Sequence, residues 1–312
     1  MKVQEGLFLV AIFFSLACTQ LVKGQHQPGE NCQNKCGNIT IEYPFGISSG
    51  CYYPGNESFS ITCKEDRPHV LSDIEVANFN HSGQLQVLLN RSSTCYDEQG
   101  KKTEEDSSFT LENLSLSANN KLTAVGCNAL SLLDTFGMQN YSTACLSLCD
   151  SPPEADGECN GRGCCRVDVS APLDSYTFET TSGRIKHMTS FHDFSPCTYA
   201  FLVEDDKFNF SSTEDLLNLR NVMRFPVLLD WSVGNQTCEQ VGSTSICGGN
   251  STCLDSTPRN GYICRCNEGF DGNPYLSAGC QGSSFFHVLS SNIFPITYLV
   301  ESCVLFLCAR RQ

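Results

Sequence analysis

Cysteine is the residue whose number and spacing point most directly to a chemistry in this 312-residue chain. Eighteen of the 21 cysteines lie between Cys32 and Cys280, and an even number at this density is typical of a disulfide framework. A zinc or iron cluster would favour paired C-x2-C knuckles, which these cysteines mostly lack. The spacing therefore predicts oxidative pairing outside the cytosol, in a disulfide-rich fold that the apolar pattern below indicates to be mainly β.

The N-terminal segment has the composition of a secretory leader. Residues 1–24 combine Lys2 with the apolar run Leu7–Ala17, and the sequence predicts cleavage before Gln25. The apolar run is too short to span a membrane. We therefore expect the mature chain to be exported.

Nine N-x-S/T sequons are spread along the chain and predict N-glycans on an extracellular surface. They begin at Asn38, Asn56, Asn80, Asn90, Asn113, Asn140, Asn209, Asn235 and Asn250. A face that is covered by sugar cannot serve as an interface, so these positions limit where a partner can dock.

The chain is acidic, with a formal net charge of −14. It lacks the broad cationic field that binding to nucleic acid or to anionic lipid requires, so neither is expected as a partner. We interpret the acidity chiefly as a source of solubility in an extracellular medium.

Alternating apolar residues indicate antiparallel β-structure in the first half of the chain. Such residues at positions 74–76 and 85–89 flank the turn Asn80–Gly83, which predicts a β-hairpin. Phe109 and Leu111 repeat the period of two. Further along, we predict a short helix near Leu216 and an apolar strand at 227–233.

Two adjacent cysteines, Cys164 and Cys165, lie within a second cysteine cluster. Neighbouring cysteines rarely bond to each other, because a disulfide needs its two Cα atoms well beyond one peptide step. We expect each of them to join a different strand or loop. The run Gly161–Arg166 is therefore interpreted as a structural crossroads.

The last six cysteines of the framework have the spacing of an EGF-like module, with 8, 5, 10, 1 and 13 residues between them. Six cysteines allow fifteen pairings. Resemblance to the EGF-like family implies one of these, namely Cys238–Cys253, Cys247–Cys264 and Cys266–Cys280. Calcium-binding members carry acidic residues just before the first cysteine, whereas Gly234–Thr237 has none, so we expect no metal in this module.

Three runs, taken in order, resemble the extracellular region of plant wall-associated receptor kinases. They are CGNITIEYPFGISSGC at 36–51, GRGCC at 161–165, and LLDWSVGNQTC at 228–238 leading into the EGF-like cysteines. The resemblance covers about Cys32 to Cys280. It implies a galacturonan-binding N-terminal domain, a cysteine-rich middle and an EGF-like module that face the cell wall and contact pectin.

With this resemblance, the chain divides into six predicted segments. They are a signal peptide (1–24), a galacturonan-binding-like β domain (25–149), a cysteine-rich middle region (150–205), a connector with an apolar strand (206–237), the EGF-like module (238–280) and a divergent apolar tail (281–312). The fold class is thus small, cysteine-stapled β-rich domains followed by an EGF-like module.

The kinase of that family is not predicted here. The sequence has no Gly-rich phosphate loop and no Val-Ala-x-Lys, His-Arg-Asp or Asp-Phe-Gly motif. The phosphotransfer activity of the family is therefore not carried over to this chain.

The apolar tail, Phe285–Ala309, contains Glu301, which is costly inside a membrane. Three interpretations stay open. The tail is a single-pass type I anchor in the plasma membrane, the apolar end of a secreted protein, or a lipid-anchor signal.

An acidic protein needs local cations to hold a polymer of galacturonic acid, because salt screens its long-range field within about 8 Å. Arginine forks can bind a carboxylate through two parallel hydrogen bonds. The candidate ligand-binding residues are Arg67, Arg91, Lys101, Lys102, Arg162, Arg166, Arg184 and Lys186. Calcium bridging between acidic side chains and uronate carboxylates is a second route to the same partner.

The leading functional hypothesis is a non-catalytic extracellular protein that binds cell-wall pectin or oligogalacturonides and needs no cofactor. The alternative is a protein-interaction module that acts as a decoy partner for full-length receptor kinases. An enzyme is not favoured, because no pair of carboxylates and no nucleophile has a diagnostic sequence context.

Overall fold

The computed structural model describes residues 27–137, 140–153, 157, 159–169, 175–185, 191, 193–257 and 260–282. The predicted signal peptide and the predicted tail beyond Gly282 lie outside these residues.

Strands dominate, which confirms the mainly β, disulfide-rich class. In chain order they are β1 (Lys35–Cys36), β2 (Ile39–Thr40), β3 (Thr62–Lys64), β4 (Arg67–Val70), β5 (Ile74–Asn80), β6 (Gln84–Asn90), β7 (Ser92–Tyr96), β8 (Lys102–Glu105), β9 (Ser107–Thr110), β10 (Leu114–Leu116), β11 (Asn120–Val125), β12 (Ala129–Gly137), β13 (Tyr141–Ser147), β14 (Cys164–Asp168), β15 (Ser175–Arg184), β16 (Cys197–Glu204), β17 (Arg224–Trp231), β18 (Ser251–Asp255), β19 (Tyr262–Cys266), β20 (Phe270–Gly272) and β21 (Cys280–Gly282).

The helices are short. The helix predicted near Leu216 is present as α-helix Asp215–Asn218, which continues as the 3-10 helix Leu219–Asn221. The others are α-helix Cys238–Val241 and the 3-10 helices Glu57–Phe59 and Gly242–Thr244. Within the described part of the chain, none of the helices combines the length and apolarity that a bilayer crossing requires.

A six-stranded antiparallel sheet contains the predicted hairpin, with strands in the order β10-β17-β6-β5-β4-β3. β5 pairs with β6, with Val76 opposite Val87 and Asn80 opposite Gln84. Both valines are buried because alternate residues of these strands face the core. β17 lies between β10 and β6, so the predicted connector contributes a central strand to the N-terminal sheet.

A five-stranded sheet (β14-β11-β16-β7-β8) packs against a four-stranded sheet (β13-β12-β15-β9). Here the structure differs from the predicted boundary at 149/150. β14 and β16 pair with β11, β16 pairs with β7, and β15 pairs with β9 and β12. Strands from both predicted segments satisfy each other's backbone hydrogen bonds, so the two segments are interleaved in the same sheets.

The interface between these two sheets is rich in buried hydroxyl groups. Thr94 Oγ1 donates to the carbonyl of Ser182 at 2.7 Å, and Ser182 Oγ lies 3.0 Å from Thr198 Oγ1. Ser92 Oγ also donates to the carbonyl of Thr180. These bonds matter because an unpaired buried hydroxyl would cost about 1–3 kcal/mol. The packing of the two sheets thus depends on hydroxyls as well as on apolar side chains.

Nine disulfides connect the eighteen framework cysteines. They are Cys32–Cys51, Cys36–Cys63, Cys95–Cys197, Cys127–Cys149, Cys145–Cys165, Cys159–Cys164, Cys238–Cys253, Cys247–Cys264 and Cys266–Cys280. Cys164 and Cys165 bond to different partners, in line with the geometric argument. The last three bonds coincide with the pairing that the EGF-like resemblance implies.

The EGF-like module is docked on the six-stranded sheet and its flanking N-terminal segment. Asn273 Nδ2 donates to the carbonyl of Tyr43 at 2.7 Å. The hydroxyl of Tyr275 is fully buried, accepts from the amide of Cys264 at 3.0 Å and donates to the carbonyl of His81 at 3.4 Å. The segments Tyr43–Gly46 (Tyr-Pro-Phe-Gly) and Gly272–Tyr275 (Gly-Asn-Pro-Tyr) therefore meet at this junction.

Candidate functional site

The exposed members of the predicted cation set are Arg67, Lys101, Lys102 and Arg162. Lys102 forms an ion pair with Glu104. The turn that carries Lys101 and Lys102 is bordered by acidic residues at 97, 98, 104, 105 and 106. Its local charge is therefore negative, which disfavours a polyanion. Lys186 lies outside the described residues.

Arg91 is buried, with 5% of its surface exposed, contrary to the expectation of a ligand-binding side chain. Its guanidinium donates to the carbonyls of Val222 at 2.8 Å and Arg220 at 3.1 Å. It also lies 4.7 Å from the centre of the Tyr199 ring. Arg91 thus holds the chain at 220–222 against the five-stranded sheet and is not open to a ligand.

Arg166 and Arg184 are half-buried and are also engaged in internal contacts. Arg166 donates to the carbonyl of Phe208 at 2.5 Å. Arg184 donates to the carbonyl of Ser195 at 2.6 Å and lies 5.5 Å from the centre of the Tyr96 ring. Burial lowers the pKa of Arg184. The structure therefore does not bring the predicted cations together in one patch.

Arg67 belongs instead to an ion-pair network on the six-stranded sheet. Glu75 accepts from Arg224 at 2.5 Å and from Arg67 at 3.4 Å. Beside it, Lys64 pairs with Asp73 at 3.0 Å. Burial opposes the ionisation of Glu75, but the hydrogen bonds and charges of Arg224 and Arg67 outweigh it and lower the pKa. The network thus contains three cations, Lys64, Arg67 and Arg224, and two carboxylates, Asp73 and Glu75.

Two adjoining cavities lie next to the network, bordered by the β4–β5 turn and β9. Their volumes are about 450 and 300 Å³, and they share Leu71 and Thr110, so we call them together the Leu71 groove. The groove carries hydroxyl groups from Ser60, Thr62, Ser72, Ser107, Ser108 and Thr110, apolar side chains from Leu71, Ile74, Leu88, Leu89 and Phe109, the carboxylates of Glu57, Asp73 and Glu112, and the cation Arg224.

The turn at the middle of the groove has an unusual backbone. Leu71 and Ser72 have φ values of 50° and 76°, a left-handed conformation that costs a non-glycine residue about 1–2 kcal/mol. Lys64 Nζ donates to the carbonyl of Ser72 at 2.6 Å, which brings this cation to the edge of the groove. The tight β4–β5 connection accounts for these φ values, as the β3–β4 turn does for those of Glu65 and Asp66.

The groove offers a specific combination of chemical groups. Hydroxyls can exchange hydrogen bonds with a polyhydroxylated ligand, apolar side chains can pack on the faces of its rings, and the cations at the edge can bind its carboxylates. In the described part of the chain, no three His, Cys, Asp or Glu side chains are placed to hold a metal ion. The hydroxyls and apolar side chains suit contact with a carbohydrate, and Lys64 and Arg224 offer cations to a carboxylate beside the acidic side chains of the lining.

Replacing Glu75 by glutamine should lower the free energy of unfolding by about 1 kcal/mol at pH 7 and have little effect near pH 3. The folded-state pKa of Glu75 is lowered, so its stabilisation is present above the pKa of the unfolded chain and is lost as the pH falls through the folded value. Denaturant titrations at the two pH values measure the difference. Asp73→Asn is the control, because Asp73 is 89% exposed and its removal should change little. A loss of equal size at both pH values would contradict the prediction.

Sequence analysis did not single out Lys64 or Arg224. Lys64 lies in the charge-balanced run Lys64–Arg67, from which only Arg67 was predicted as a candidate. Arg224 lies 149 residues from its partner Glu75. The one available signal was its position shortly before the predicted apolar strand at 227–233, and Arg224 is indeed the exposed first residue of β17.

Comparison with known proteins supports the resemblance inferred from the sequence. Residues 32–91, which include Lys64, Arg67 and Glu75, match the family described as wall-associated receptor kinase galacturonan-binding. The chain is 65% identical over 281 residues to wall-associated receptor kinase 5 of Arabidopsis thaliana, 61% over 293 residues to wall-associated receptor kinase 3 and 54% over 283 residues to wall-associated receptor kinase 2 of the same organism.

These alignments cover 90% of this chain but only 38–39% of the length of the relatives. No solved structure matches the chain significantly. The likeness to wall-associated receptor kinases is thus confirmed for a region without the kinase.

Proposed function

We propose that this protein is a non-catalytic extracellular polysaccharide-binding protein that holds cell-wall galacturonan in the Leu71 groove. One observation carries the proposal. The region similar to a galacturonan-binding family includes Lys64 and Arg67, of which Lys64 donates to the carbonyl of Ser72 in the groove wall and Arg67 shares Glu75 with the groove residue Arg224. The names of the similar proteins, which describe wall-associated receptors, support an exported and wall-facing location, either secreted or at the plasma membrane.

Galacturonan presents hydroxyls and a carboxylate on each sugar ring, and the groove can meet both. Arg224 lies in the wall of the larger cavity, and Lys64 contacts the edge of the smaller cavity through Ser72. The net charge of −14 does not prevent binding, because screening limits repulsion to charges within about 8 Å at physiological salt. Local pairing of Arg224 and Lys64 with uronate carboxylates then decides the affinity.

Calcium bridging is an alternative way of holding the polymer, in the smaller cavity of the groove. Glu57 and Glu112 line the smaller cavity, and carboxylate oxygens are ligands that calcium prefers. If the polymer is held through calcium there, a chelator should abolish its retention. If Arg224 and Lys64 hold it directly, retention should survive the chelator and fall with added salt.

The Arg224→Ala variant should bind oligogalacturonide about tenfold more weakly, as expected for loss of a charge-assisted contact worth about 1.4 kcal/mol. The matched control is Arg265→Ala, which removes an exposed arginine of the EGF-like module. Isothermal titration calorimetry with and without a chelator, on the protein secreted from a eukaryotic host, measures both affinities.

Unchanged affinity in a Lys64→Ala/Arg224→Ala double variant would overturn the proposed site. Absence of any binding by the wild-type protein, with or without calcium and with its N-glycans either present or trimmed, would overturn the proposed function itself. Release of reducing sugar during the incubation would contradict the non-catalytic role.

A second candidate function is contact with a protein such as a receptor kinase of the same family. It is supported by the exposed apolar side chains Leu146 (40% exposed), Leu148 (50%) and Ile185 (59%), which lie at the end of the four-stranded sheet where Ala129 is the register partner of Ser147 and of Arg184. Large apolar side chains at a surface mark many protein interfaces. Co-purification with such a kinase that is lost in Leu148→Lys would favour this function over polysaccharide binding alone.

A further inference from the structure

The sequon at Asn90 lies at the Leu71 groove. Asn90 is the exposed last residue of β6 and contributes to the wall of the cavity of about 450 Å³. In the antiparallel register it stands directly opposite Arg224, the cation of that cavity. Residues opposite each other on neighbouring strands have Cβ atoms about 4.5–5.5 Å apart. A group attached to Asn90 would therefore adjoin Arg224.

The amide of Asn90 is also available for modification. Within the described residues, no hydrogen bond engages its side chain. Asn56 and Asn80, by contrast, each accept a bond from a nearby backbone amide, at 3.0 and 2.8 Å. The next two residues of the sequon, Arg91 and Ser92, are buried, so Asn90 alone carries the sequon to the surface.

We propose that an N-glycan on Asn90 covers the larger cavity of the Leu71 groove and thereby controls access of galacturonan to Arg224. The inference rests on the proposed function and adds a means of regulation to the same site. An N-glycan is bulky and hydrophilic, and its first sugar starts at the wall of the cavity. Protein that carries this glycan would bind galacturonan weakly, and protein that lacks it would bind more tightly.

The sequon at Asn80 provides an internal comparison. Asn80 lies at the opposite end of β5 and β6, in the hairpin turn, and does not line either cavity of the groove. A glycan there has the same chemistry but a different position. A difference between the two sites would therefore report position, not the general effect of adding sugar.

The test compares the full chain and its Asn90→Gln and Asn80→Gln variants, all secreted from a glycosylating host. Glycopeptide mass spectrometry measures occupancy of Asn90, and calorimetry with an oligogalacturonide of defined length measures affinity. We expect Asn90→Gln to bind about tenfold more tightly than the wild type and Asn80→Gln to match the wild type. Endoglycosidase trimming of the folded wild-type protein should give part of the same gain, without any change in its sequence.

Three results would overturn the inference. Mass spectrometry could find Asn90 unmodified, Asn90→Gln and the wild type could bind with equal affinity, or Asn80→Gln could gain as much as Asn90→Gln. In each of these cases, measurable binding by the wild type would leave the proposed function standing. If no form binds, trimmed protein included, the proposed function fails and the inference fails with it.

Discussion

Replacing Cys95 and Cys197 together by alanine is expected to lower the free energy of unfolding by about 3–4 kcal/mol. This disulfide has the largest sequence separation of the nine, 102 residues, and joins β7 to β16 where these two cysteines are register partners. A bond that closes a long loop removes much conformational freedom from the unfolded chain. Three shorter bonds inside the loop, Cys127–Cys149, Cys145–Cys165 and Cys159–Cys164, shorten its effective path, so we expect less than the value of about 4.7 kcal/mol for an open loop of this size.

The matched control is removal of Cys159–Cys164, which spans only 5 residues. The same loop-closure relation gives about 2 kcal/mol for that bond. The chain has one tryptophan, Trp231, which is 3% exposed, so its fluorescence reports unfolding of the buried core without a label. Denaturant titration of the two double variants measures both losses. Equal losses, or a larger loss for the short loop, would contradict the dependence on loop length.

Patterns that are local in the sequence predicted the corresponding parts of the fold. The hairpin around Asn80–Gly83 depends on alternation over a few residues and on its turn, and it is present. The separation of Cys164 and Cys165 depends only on the geometry of one disulfide. The interleaving of strands across the predicted boundary at 149/150 depends on pairings between distant segments, which no local pattern encodes.

The predicted arginines show the same limit, because their burial also depends on residues that are distant in the sequence. Arg67 and Arg91 both stand in polar stretches of sequence, yet the first is exposed and the second is buried. The difference arises from Val222, which lies 131 residues away and supplies the carbonyl that Arg91 binds. Glu75 and Arg224 likewise meet only because β17 inserts beside β6. The sequence predicted which type of side chain would bind a carboxylate, namely a cation. The fold was needed to show which of the cations are accessible to a ligand.

Truncating Trp231 to alanine is expected to cost about 3–5 kcal/mol of unfolding free energy, the range for a large aromatic side chain removed from a core. The indole ring lies between segments that are distant in sequence. Its centre is 5.4 Å from that of Phe45, 5.6 Å from Phe59 and 5.3 Å from Tyr275. Phe45 belongs to the N-terminal segment and Tyr275 to the EGF-like module, so the ring fills the junction between them.

The position of Trp231 predicts which part of the structure is destabilised, as well as the size of the loss in unfolding free energy. The EGF-like module retains its three disulfides in Trp231→Ala, so its internal fold should persist while its docking on Phe45 is lost. Hydrogen exchange should then rise at residues 43–46 and 273–276 more than in β18 and β19. Trp231→Phe is the control, because a smaller ring keeps part of the edge-to-face contacts and should lose markedly less stability. Uniform exchange throughout the chain would instead mean that the module and the sheet unfold as one unit, and that Trp231 supports the whole core more than the junction.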